Sequence, residues 1–85
     1  MSTNLDALTA TAINAARDCA AEIYPDMTHA QIAQAMPAVL ETSIPAALNA
    51  ADGVRQTLGD IMAEQVMHAA MRRAGQRAAR VAARS

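Results

Sequence analysis

The sequence predicts an all-α fold, a small bundle of about four helices whose last helix is long and protrudes. Three observations carry that expectation. Apolar residues recur at steps of three and four rather than two. Capping residues and prolines divide the chain into helix-sized stretches with short connections. After Val54 there is no proline, and only Gly59 and Gly75 interrupt a run of good helix formers. A helix of about thirty residues there is roughly 45 Å long at about 1.5 Å per residue. A compact domain of this size is only about 30 Å across. The last turns are therefore expected to project.

The elements follow in order. Thr3 and Asp6 have capping-box spacing, with Asn4 as an alternative cap. Leu5, Leu8, Ala12, Ala16, Cys19 and Ile23 then make the apolar stripe of a helix over 4–24. Pro25 ends it by pushing Tyr24 out of helical geometry. Thr28 and Gln31 form a second capping box, opening a helix over 28–41 with Ile32, Ala35, Met36, Val39 and Leu40 inward. Pro37 falls on the opposite side, where it is expected to kink or split that helix. Ser43 reads as the cap of a third helix, 44–51, with Pro45 in its first turn and Asp52-Gly53 closing it. The fourth helix covers 54–83.

Composition limits the core. The apolar fraction is 53% over 85 residues, but 23 of those residues are alanine and 22 are larger, six of them methionine; Tyr24 is the one aromatic. A chain this short buries a small share of its surface, so self-association or a bound partner is the expected remedy. Alanine also lets helices approach closely. Seven arginines without lysine, beside so many alanines, fit a GC-rich coding sequence. The single cysteine, Cys19, excludes an intrachain disulfide and fits a reducing compartment; on its stripe it reads as a small core residue rather than a nucleophile. No apolar run is long enough for a membrane span and no signal-like segment opens the chain, so a cytoplasmic protein without membrane contact is expected.

Charge is divided unevenly. Residues 1–71 carry eight acids against Arg17 and Arg55, a balance of −6, and residues 72–85 carry five arginines and no acid, a balance of +5, which together give the net −1. The chain reads as an acidic helical body, 1–71, with a basic Arg/Ala-rich extension, 72–85.

On the long helix, turned at about 100° per residue, two apolar stripes separate. Val54, Leu58, Ile61, Met62 and Ala69 make one, assigned to the chain's own core. Met67, Met71, Ala74, Ala78 and Val81 make the other, which lacks an evident internal partner, and Arg73, Arg77, Arg80 and Arg84 flank it. Met67, Met71, Arg73, Arg77, Arg80, Val81 and Arg84 are thus the expected partner-binding residues. Asp60, Glu64, His68 and Arg72, spaced by four, read as a solvated ladder of i,i+4 pairs rather than a metal site. No catalytic residues, cofactor site or metal site is expected. His29 and His68 are the two imidazoles, and neither a nucleophile-base set nor a glycine-rich phosphate loop can be assembled. Two stretches, Thr28 to Leu48 and Gly53 to Leu58, superficially match parts of a helix-turn-helix, but the first has Pro37 at the turn and the second is one residue short.

The expected function is that of a non-enzymatic helical interaction protein of structural, adaptor or inhibitor type. It self-associates as a homo-oligomer or docks on a larger protein through its C-terminal helix. Small size and lack of chemistry suit a phage or mobile-element product. The alternative is a nucleic-acid-binding protein using the arginine stripe, since arginine serves carboxylates and phosphates alike.

Overall fold

Two short connections set the architecture. The computed structural model describes residues 5–84, which form α1 (Leu5–Ile23), α2 (His29–Leu58) and α3 (Asp60–Arg84). The Thr3/Asn4 caps lie outside the described residues. At the first connection the Tyr24 N–H donates to Ala20 O (2.7 Å) and the Met27 N–H to Tyr24 O (2.9 Å), turning the chain through Pro25-Asp26. The capping box at Thr28 then starts α2. Thr28 Oγ1 accepts from the Gln31 N–H (3.3 Å) while Gln31 Oε1 accepts from the Thr28 N–H (2.8 Å).

The second connection is a single residue. Gly59 has φ 91°, the left-handed half of the map that favours glycine. Its N–H donates to Arg55 O and its carbonyl accepts from the Ala63 N–H, both at 3.1 Å, so one residue closes α2 and opens α3. The helices run up, down and up, with overall extents of 42 × 21 × 18 Å. α3 lies along both α1 and α2, which touch each other little.

The count is three helices rather than about four. α2 runs unbroken through Pro37, Pro45 and Gly53. Both prolines are exposed, as are Ala33 and Glu41, whose carbonyls lose their helical N–H partners to them. Water can reach those carbonyls, so the lost bonds end nothing. Ser43 is not a cap. It sits mid-helix on the buried face, between Val39 and Ala47 in the stripe Ile32, Met36, Val39, Ser43, Ala47, Ala51. Its Oγ is buried with no hydrogen-bond partner.

The expectation that the C-terminal helix protrudes is also corrected. Met71, Ala74, Gly75, Ala78, Ala79 and Ala82 are all buried, and Ala83 borders a shallow groove with Ile23, Tyr24 and Pro25. The exposed end is instead the α2–α3 hairpin, where Leu58 is 64%, Ile61 77% and Met62 41% exposed. The cause is Gly59: a helix continued through it keeps its direction, whereas the actual chain reverses there and lays α3 back against its neighbours.

α1 carries its core contacts on Leu8, Ala12, Ala16 and Ala20, with Leu5 and Ile23 half-exposed or more. The reason is Gly75. A Cβ on Gly75 would collide with the Ala12 carbonyl oxygen and come within 2.9 Å of Ala15 Cβ and Ala16 N. The two backbones are close enough there that one methyl group does not fit.

Two stability measurements check this packing. Gly75→Ala has the helix-propensity gain of about 1 kcal/mol in its favour and overpacking of about 1–3 kcal/mol against it. Because the obstacle is backbone, overpacking wins: Tm should fall, by about 4–8 °C for each kcal/mol lost. A rise in Tm would show that α1 is not held that close. Ser43→Ala should raise the urea midpoint, since it removes a buried hydroxyl left unpaired, worth about 1–3 kcal/mol; a loss of stability would mean the hydroxyl is bonded after all.

Candidate interaction face

The outer face of α3 follows from its buried one. Ala63, Met67, Met71, Ala74, Gly75, Ala78, Ala79 and Ala82 face inward. At about 100° per residue the opposite side carries Met62, Val66 and Ala69 in the first half and Arg73, Arg80 and Arg84 in the second, with Arg77 at the border toward α2. Arg73, Arg77, Arg80 and Arg84 are all exposed. Val81 is 40% exposed. Met67 and Met71, by contrast, are 5% and 0% exposed and belong to the core. The two stripes have exchanged places: the one assigned to a partner is largely buried, and the one assigned to the core supplies the exposed Leu58, Ile61 and Met62.

Three charged side chains at the hairpin are paired. Arg55 Nη1 donates to Asp52 Oδ1 at 2.7 Å and its Nε lies 3.1 Å from Asp60 Oδ1, bridging the end of α2 to the start of α3. These groups are well exposed, so the tie is worth little. Asp60 is therefore paired across the hairpin with Arg55, while its i+4 neighbour Glu64 is itself an acid. The ladder has no ion-paired rung among the described residues, and His68 instead lies half-buried with Nδ1 3.3 Å from Thr11 Oγ1. Thr11 Oγ1 also donates to Ala7 O (3.0 Å), and its lone pairs can accept from His68 in the tautomer protonated at Nδ1. Among the described residues no three His, Cys, Asp or Glu side chains are grouped to hold a metal ion.

Farther along, ion pairs are lacking. Among the described residues none of Arg72, Arg73, Arg77, Arg80 and Arg84 has a carboxylate within ion-pair distance. Arg72 and Arg80 stand on one wall of an open groove of about 580 Å³ between α1 and α3, with Asp18 and Glu22 on the other and Cys19 between. Both candidate helix-turn-helix stretches fall in α2 without a turn, the first from its Thr28 N-cap onward. No helix among the described residues is long and apolar enough to cross a membrane. Comparison with protein-family models, with curated proteins and with solved structures finds no match.

The sequence treats Glu64 and His68 as equivalent rungs, and the structure separates them. His68→Ala should lower stability by about 0.5–1.5 kcal/mol, the net value of one intramolecular hydrogen bond, and Glu64→Gln should leave the urea midpoint where it was. Equal effects from the two would return both to the ladder.

Proposed function

We propose that this chain is a non-enzymatic helical interaction protein that docks on a larger, acidic protein through the outer face of α3 and the adjoining hairpin. The observation that carries the reading is the composition of that face. Exposed Leu58, Ile61 and Met62 stand at one end, and Arg73, Arg77, Arg80 and Arg84 follow without ion pairs among the described residues. From Met62 to Arg84 the strip is roughly 33 Å long at about 1.5 Å per residue. Apolar anchors contribute burial, and guanidinium groups bind carboxylates in a bidentate, directional way. The core that holds the strip rigid is the chain's own.

The arginines alone support a second reading, binding to nucleic acid. The apolar end favours protein, because Leu58, Ile61 and Met62 add nothing to phosphate contacts, and α3 has no aromatic side chain to stack on bases.

Capture from the native host after nuclease treatment, followed by titration of the recovered protein, tests the proposal. Ile61→Asp/Met62→Asp and Arg73→Glu/Arg77→Glu should each weaken binding at least tenfold, while the fold, followed by circular dichroism, is unchanged. Met71→Asp is unsuited to this test, since it places a charge in the core and should unfold the chain. Duplex DNA binding should be weak. Tight DNA or RNA binding with a slope of log K against log salt near −3.6, the value for about four duplex phosphates, unaffected by Ile61→Asp/Met62→Asp, would establish the nucleic-acid reading instead.

A further inference from the structure

We infer that the groove between α1 and α3 is closed by the same groove of a second copy, around a two-fold axis running parallel to the helices. The groove has walls of opposite charge, Asp18 and Glu22 on α1 and Arg72 and Arg80 on α3, with Ala15 and Cys19 along its middle. No ion pair among the described residues spans it. Neither wall is therefore ion-paired within the chain among the described residues, and a second copy carries the complement of both.

The charge pattern selects the symmetry. Two identical faces that meet about a two-fold axis must have that axis in the plane of contact. An axis across the groove sets each α1 against the other α1, acid against acid and arginine against arginine. An axis along the groove sets the α1 of one copy against the α3 of the other, at the same height. Ala15 of α1 is level with Gly75, which places Asp18 and Glu22 on either side of the level of Arg80. In the dimer Arg80 of each copy thus lies between two carboxylates of its mate. The arrangement is that of a bundle of four helices around a central groove.

Size and composition fit a modest interface. A face as long as α1, roughly 28 Å at about 1.5 Å per residue, and two helices wide, roughly 20 Å, covers about 560 Å². Two such faces slightly exceed the roughly 1,000 Å² expected of a specific interface. Ile23, 60% exposed at the end of the groove, adds apolar area. Residues on the midline lie nearest the axis in this geometry, so the two Cys19 side chains, half-exposed in the free chain, face one another. The inference does not depend on the partner-docking reading, although Arg80 serves both.

Sedimentation equilibrium at about 100 µM in low salt tests it, and screening should shift the equilibrium toward monomer as salt is added. The wild-type chain should sediment at twice its 8.9 kDa. Arg72→Glu/Arg80→Glu gives copies with two acidic walls, and Asp18→Arg/Glu22→Arg gives copies with two basic walls; each should be monomeric, and an equimolar mixture should form the heterodimer. A short bismaleimide should join the wild-type dimer through Cys19, and no product should form with Cys19→Ser. Arg73→Glu/Arg77→Glu and Ile61→Asp/Met62→Asp should remain dimeric, which separates this surface from the docking strip. A monomeric wild type overturns the inference. So does a dimer that survives both charge reversals, or one lost in Ile61→Asp/Met62→Asp, which would place the contact at the hairpin.

Discussion

The contact on which the rest of the structure depends is the approach of α1 to α3 at Gly75. With no side chain there, the α3 backbone reaches the Ala12 carbonyl and the Ala15-Ala16 step. Everything else about α1 follows. Its buried residues after Leu8 are all alanine, at 12, 16 and 20, and larger side chains there would hold the helices apart. α1 is attached almost wholly to α3, so the same contact decides whether it stays in the bundle. The alanine content that makes the core poor in volume is what allows the helices to be near enough for dispersion contacts between backbones.

On its α2 side α3 is packed differently. Met67 and Met71 belong to the core cluster that includes Ala47 and Ala51, the α2 residues level with them beyond the Gly59 reversal, and Met71 is fully enclosed. Unbranched methionine fills gaps that a sparse, alanine-rich lining leaves irregular. One helix thus presents a flat, small-residue side to α1 and a bulky side to α2. Gly59 makes this possible, since a one-residue reversal leaves no slack and sets α3 directly against the helix it came from.

Surface chemistry is the residue of this packing. Once α3 has two buried sides, its exposed side chains are Ile61 and Met62 beside Asp60, Glu64 and Gln65 near the hairpin, and mostly arginines beyond. The carboxylates of α1 lie across a groove from Arg72 and Arg80 rather than bonded to them. The bundle is therefore an object with strong local charge and a net charge of only −1, which favours recognition by matched surfaces over bulk attraction.

Much of this was legible in the residues. Helical periodicity, the Thr28/Gln31 capping box and the Tyr24-Pro25 break determine an all-helical chain and its first turn, because those signals act within a few residues and need no partner. The arginine sector on α3 is equally local, a matter of angle around one helix. What only the tertiary structure decided was the status of three interruptions and the use of two stripes. Pro37 and Pro45 pass through α2 because their side of the helix faces water, while Gly59 reverses the chain because it takes a positive φ; sequence alone shows a breaker in each case without showing which is tolerated. From that one difference the stripes change roles, placing Met67 and Met71 inside and Leu58, Ile61 and Met62 outside. Helical phase says which residues share a face, and only the packing of the other helices says which face is covered.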